Sequence, residues 1–240
     1  MSISLECIKL KRTGFFPALL CGGILAAAVP VLNMTIRWKT YVVVSGNPIQ
    51  ILLDANWQMM AMLNVLFIVA GTCLLYHTEY ADNAIQKIKS LPVRESSVFF
   101  GKAILTIFMS TLMLAIEAGA ITFCAYKWFE IQNTFWSELC KSFAYAFWLM
   151  LPCIVLSLLI SQSCKNMWIS LGMGVIFVFT ATMLPPNNFI LSLFPFAAPF
   201  QIFMNADMTW SMRFVCATAA ELIVLGLAEL ILIRVRRWGA

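Results

Sequence analysis

Charge is what this chain has least of. Of its 240 residues 11% are charged and 62% hydrophobic, whereas a soluble domain carries about 25% charged residues. A soluble globule around one core is excluded, and a mean hydropathy of +0.88 indicates a polytopic membrane protein. Histidine is nearly missing as well, His77 being the only one, and no C-x-x-C pair occurs among the eight cysteines. A zinc site needs about four N, S or O ligands, so metal chemistry has little to be built from. The absence of H-E-x-x-H excludes the zinc-peptidase form of an intramembrane enzyme. There is no G-x-x-x-x-G-K-[ST] phosphate loop, and no soluble stretch is large enough to hold a nucleotide domain. The chain therefore cannot hydrolyse ATP by itself, and it is read as binding no cofactor.

What is present is a series of long apolar runs. A spanning helix needs about 20 apolar residues to cross a core of about 30 Å. Uncharged or nearly uncharged runs at 14–36, 55–76, 103–126 (interrupted by Glu117) and 142–163 (with Pro152 inside) meet that need. From Asn166 to Ala206 no charge occurs, which is too long for one span, and "LPPNNF" divides it with two prolines and two asparagines. The fifth span is 167–184, and Phe214–Ile233, carrying Glu221 and Glu229, is the sixth. Between them the segment 187–206, with "FILSLFPFAAPF" at its centre, is apolar but too short and proline-rich to cross, and fits a re-entrant or interfacial element. The predicted fold is thus an all-α polytopic membrane protein with six transmembrane helices.

Orientation follows from lysine and arginine in the loops. With both termini in the cytoplasm, Lys9, Lys11, Arg12, Lys87, Lys89, Arg94, Lys102, Lys165, Arg234, Arg236 and Arg237 lie inside. Arg37, Lys39, Lys127, Lys141 and Arg213 lie outside, a bias of eleven to five. The net charge of +5 is explained by this placement, without nucleic acid. The basic start followed by an apolar run with Ala26–Ala28 has the look of a signal peptide. The run continues uncharged to Ile36, longer than a signal core, and is read as a span. Cys21, Cys73, Cys153 and Cys216 fall in apolar runs, where a thiol behaves as a small hydrophobe. Cys124 and Cys140 both fall near the outer surface, but nothing fixes the approach a disulfide needs.

The densest polar stretch is "NAIQKIKSLPVRESS", in the connection from His77 to Lys102. Tyr80, Ala84 and Ile88 recur at i, i+4, i+8 with Ala81 and Ile85 beside them, and Glu79, Asp82, Gln86, Lys87 and Lys89 fill the other side, the pattern of an amphipathic helix. Pro92 ends it at Leu91, and Ser96 or Ser97 is placed to cap the next helix. Two roles are open for it: an interfacial helix on anionic lipid, or a docking element for a cytoplasmic partner.

"EYADNAIQKIKSLPVRESSVFFGK" resembles the loop between spans two and three of ABC-2 type permeases, in its acidic residue, short amphipathic helix, Leu91-Pro92 stop and Lys102 before the third span. "LECIKLKRTGFFPALL" is similar to their short basic interfacial helix leading into span one. Length and span order match most nearly the lantibiotic-immunity permeases of the nisin, epidermin and mutacin protection type, with their bacitracin-export relatives. The resemblance implies a single permease domain over 1–240 in a bacterial cytoplasmic membrane, paired with a second, different small permease. It also implies a dimeric ATP-binding subunit that carries ATP and Mg. The loop 77–102 would be its coupling helix, with Glu79, Asp82, Ile85, Lys87, Ile88, Leu91, Pro92 and Arg94 meeting the ATPase. The segment before span six would be a re-entrant outer gate shaped by Pro195 and Pro199 and lined by Phe194, Phe196 and Phe200.

A carboxylate at the centre of a bilayer costs about 2.5–3.5 kcal/mol on insertion scales, so Glu117, Glu221 and Glu229 are expected to face protein or water. They suit either a substrate path or hydrogen bonds and ion pairs between helices; for Glu229, Arg236 or another nearby arginine is within reach at the inner interface. The expected function is removal of a lantibiotic or similar membrane-active peptide from the membrane, with another drug or lipid-linked compound as the alternative cargo. A proton-coupled carrier, or an intramembrane enzyme using Glu117 and Glu221, are the competing classes. Carriers often show internal repeats, and none is found here.

Overall fold

The computed structural model describes residues 10, 13–44, 46–80, 95–131, 133–164, 166–185, 188–203 and 208–238, with the side chains of Glu79, Glu95, Ser96, Ile233 and 235–238 left aside. These residues are helical apart from short turns. The order is α1 Phe15–Val42, α2 Pro48–Tyr80, α3 Glu95–Trp128, α4 Phe135–Ser163, α5 Met167–Met183, a short α6 Phe189–Ser192, a 3₁₀ turn Ala198–Phe200, and α7 Met208–Trp238. Five of these are long and apolar enough to cross a membrane. The exception among the long runs, α5, has 17 residues and a length of about 25 Å at 1.5 Å per residue, the lower limit for a span. Between α5 and α7 the described residues 188–203 form the single turn of α6 and the 3₁₀ turn, a stretch broken by Pro195 and Pro199.

Most helices are longer than the apolar runs that announce them. Polar residues extend a helix beyond the lipid-facing stretch, because backbone hydrogen bonding does not stop where hydrophobicity does. The N-terminus of α2 lies ahead of Asp54, with Asn47 Oδ1 accepting the Ile49 N–H at 3.1 Å. The run 14–36 has a sharper outcome: α1 reaches Val42, but Arg37 leaves helical geometry (φ −122, ψ 23), so the helix bends at the first charge. The flanks of the 77–102 connection are helical. His77 to Tyr80 belong to α2 and Glu95 to Lys102 to α3, while the amphipathic stretch expected between them lies outside the described residues.

At the centre of the bundle, α2 packs against α1, α3, α4 and α5, while α7 packs chiefly on α4. Lipid offers no hydrophobic drive between helices, so close approach at small residues matters most. A Cβ at Gly22 would fall 2.4 Å from Phe67, and one at Gly174 2.3 Å from Val69, so α1 and α5 each meet α2 backbone-close. Exposed apolar side chains such as Ile24, Ile36, Phe108, Ile176 and Ile223 cover the outer faces.

Polar contacts fix the register. Along α2, Asn56, Asn64 and Thr72 recur every eight residues, which advances about 12 Å and turns about 80° each time. Each therefore meets a different neighbour. Asn56 Oδ1 accepts from Asn33 of α1 at 2.7 Å, Asn64 donates to Glu117 of α3 at 3.1 Å, and Thr72 Oγ1 accepts from Ser161 of α4 at 3.3 Å.

Candidate functional site

Three places in the bundle gather the groups with chemistry to offer. The first is the Asn64–Glu117 pair. Both side chains are buried, Glu117 with no exposed surface, and Asn64 Nδ2 donates to Glu117 Oε2. Asn64 Oδ1 and Glu117 Oε1 find no hydrogen-bond partner among the described residues. The donor to Glu117 comes from α2 and not from the last helix, where Glu221 is half-buried, with Oε2 enclosed and lacking a hydrogen-bond partner among the described residues. Glu229 is buried further along α7, and Arg236, its expected partner, has its side chain outside the described set.

The second lies where α2 and α4 end and α3 and α5 begin. Lys102 is buried, its Nζ donating to Leu75 O at 3.0 Å and standing 3.8 Å above the Tyr76 ring. A backbone carbonyl accepts a charge-assisted hydrogen bond and the ring face attracts a cation, so both neighbours compensate for burying the ammonium. Tyr76 O–H donates to Gln162 Oε1 at 3.4 Å, and Tyr80 O–H donates to Gln162 O. Beside them Cys73 Sγ lies 3.6 Å from Ser161 Oγ and 3.3 Å from Ser170 Oγ, and Ser170 bonds Ser161 at 3.2 Å. One polar strip thus joins four helices.

The third is the broken segment before α7. Asn188 Oδ1 accepts from the Ile190 and Leu191 N–H groups and starts α6. Phe196 and Pro199 are buried, while Phe194, Pro195 and Phe200 are partly so. Phe194 and Phe196 stack against Phe177 of α5 with centroids 5.8 and 5.5 Å away. Trp57 Nε1 of α2 donates to Pro199 O at 3.0 Å. The expected gate residues therefore form one segment, with Phe194 and Phe196 against α5 and the turn of Pro199 and Phe200 against α2 and α4.

Of the expected ATPase contacts, Asp82, Ile85, Lys87, Ile88, Leu91, Pro92 and Arg94 lie outside the described residues, and Glu79 is described only as part of the α2 backbone. Cys124, buried, and Cys140, exposed, are free thiols. No group of three His, Cys, Asp or Glu able to hold a metal occurs among the described residues.

Asn64, Tyr76 and Gln162 are functional candidates that reading the sequence missed. A polar amide in an uncharged run was the signal available for Asn64, since such a group must find a partner in lipid. A family model described as ABC-2 family transporter protein matches residues 2–181, which takes in α1 to α4 and most of α5 but neither the broken segment nor α7. No curated protein and no solved structure matches the chain.

Proposed function

The chain belongs to the ABC-2 family of transporter proteins and is a membrane-spanning component of such a transporter; on that premise we propose that it exports a lantibiotic or similar cationic, membrane-active peptide from a bacterial cytoplasmic membrane. It works beside a second small permease, above a separate dimeric ATP-binding subunit, with both its termini in the cytoplasm. The observation that carries this reading is that the family match runs through the connection between α2 and α3 in a chain with no phosphate loop of its own. Such a chain needs an outside source of ATP-driven motion and a place to receive it. The residues assigned to that contact are Glu79, Asp82, Ile85, Lys87, Ile88, Leu91, Pro92 and Arg94, supplying apolar seating and polar pairs, each modest where exposed.

A cationic cargo suits a half-buried carboxylate such as Glu221 better than one already bonded within the bundle, as Glu117 is. The wedge of Phe194, Phe196 and Phe200 serves as the outer gate, held shut through Trp57.

The test is affinity purification of the tagged chain in mild detergent after co-expression with its genomic neighbours, beside a Leu91→Asp/Pro92→Ala variant. A stoichiometric ATP-binding subunit, lost in the variant, is the expected result. A well-folded wild-type chain that brings down no ATPase overturns the proposal. Growth of expressing cells in nisin then tests the cargo, with protection expected only when the ATPase is present.

A further inference from the structure

We propose that Gln162 is the positioning residue through which movement at the end of α2 reaches α4 and α5. The inference deepens the reading above, because it concerns how motion supplied by an ATP-binding subunit is distributed in the membrane.

Gln162 is the penultimate residue of α4. Its carbonyl is one of the last four of a helix, which have no partner within it, and the Tyr80 hydroxyl supplies one. Its side-chain Oε1 accepts from Tyr76, one helical turn earlier on the same face of α2. Both acceptors of one residue are thus gripped by one helix. Tyr76 is itself held from the other side: Lys102 of α3 lies over its ring and bonds the adjacent Leu75 carbonyl. On the far side of Gln162, the neighbouring Ser161 bonds Thr72 and meets Cys73 and Ser170, so the first turn of α5 is attached as well.

The contrast with the deeper contacts assigns the role. At Gly174 the α2–α5 contact is apolar and backbone-close, held by dispersion packing, which is individually weak per atom pair and not directed to one partner atom. Hydrogen bonds weaken steeply with angle and distance, so displacement of Tyr76 and Tyr80 either carries Gln162 along or breaks both bonds. The first residues of α4 to feel α2 from this end are therefore Gln162 and Ser161, beside the last described turns of α2. Spatial continuity alone is not coupling, and a measurement of response is needed.

The experiment uses the complete complex, with its ATP-binding subunit, in lipid nanodiscs. Cys164, two residues beyond Gln162 and partly exposed, is a native reporter. Its rate of labelling by N-ethylmaleimide is read by peptide mass spectrometry without nucleotide and after trapping with ATP and vanadate. In the wild-type complex trapping changes that rate. In Gln162→Leu, which removes the Tyr76 bond, the change is expected to shrink about fivefold, the factor that one hydrogen bond of ordinary worth provides, and to shrink further in Tyr76→Phe/Tyr80→Phe, which removes both bonds. ATP turnover stays within about twofold of wild type, which a residue that merely held the fold would not allow. Should the double variant fail to assemble, Tyr80→Phe alone, which deletes a single oxygen, is read instead. A full labelling response in the variants overturns the inference and leaves the proposed function standing. Equal loss of response and ATP turnover also overturns it, since the residues would then be structural. A wild-type chain that recovers no ATP-binding subunit removes both readings together.

Discussion

Asn64 Nδ2 lies 3.1 Å from Glu117 Oε2, which joins the central helix to α3 through a carboxylate that no described lysine or arginine pairs with directly. The two remaining oxygens of the pair accept no hydrogen bond among the described residues. A glutamine in place of Glu117 brings an N–H that Asn64 Oδ1 can accept. Glu117→Gln is therefore expected to leave thermal stability in detergent unchanged or raised. Asn64→Leu strands a buried carboxyl without its donor and is expected to cost about 1–3 kcal/mol. Equal destabilisation by both would show that the negative charge itself is required, and would move Glu117 onto a cation's path.

Two glycines on α5 offer a matched pair. A Cβ at Gly174 meets Val69 at 2.3 Å, whereas one at Gly172 meets nothing within 4 Å. Gly174→Ala forces α5 away from α2 and is expected to destabilise by about 1–3 kcal/mol. Gly172→Ala should be neutral or stabilising by a few tenths up to about 1 kcal/mol, as glycine is the poorer helix former. Melting curves of the two variants side by side decide it; indistinguishable curves would mean that the α2–α5 contact is looser than the structure has it.

The broken segment before α7 is tied to the bundle by Trp57 Nε1 and the Pro199 carbonyl, 3.0 Å apart. Trp57→Phe keeps an aromatic ring against Phe143 but removes that donor, at a cost of about 1 kcal/mol. Hydrogen exchange of 188–203 should speed up about fivefold relative to α4, through more frequent local opening. Unchanged exchange would mean that packing of Phe194 and Phe196 against Phe177 holds the segment without the bond.

Native thiols test the orientation. Cys140 lies exposed near the start of α4 and Cys164 partly exposed just beyond its end, so the two flag opposite ends of one helix. With the basic loops inside, a membrane-impermeant maleimide added to intact cells should label Cys140 and spare Cys164 until the membrane is opened. The reverse order would invert the topology and place the 81–94 connection outside the cell, where no ATPase could meet it.

The bundle is legible in the sequence wherever apolar runs exceed the thickness of a membrane, and every long helix coincides with one of those runs. Helix ends are less so. An apolar run records where lipid begins, which is why α1 bends at Arg37 near the expected limit, while α2 and α7 pass well beyond theirs. Glu117 announces itself as a lone charge, whereas Asn64 is a neutral amide that a hydropathy average hides. The Tyr76–Gln162 contact joins residues 86 positions apart, and no local pattern carries that pairing. The expected ATPase contacts from Asp82 to Arg94 fall outside the described residues, so they rest on pattern and resemblance.

The polar contacts of α2 limit how that helix can move. Asn56, Asn64 and Thr72 engage three different neighbours at three depths and three azimuths. Rotating the helix about its own axis would break all three anchors at once, a concerted cost of about 1 kcal/mol or more for each. Tilting about the middle anchor, or travel as a rigid rod with its neighbours in tow, disturbs fewer of them. A push on its end is thus resolved into rocking and axial thrust, with no torsion, so α2 acts as a lever and not as a key turning in a lock.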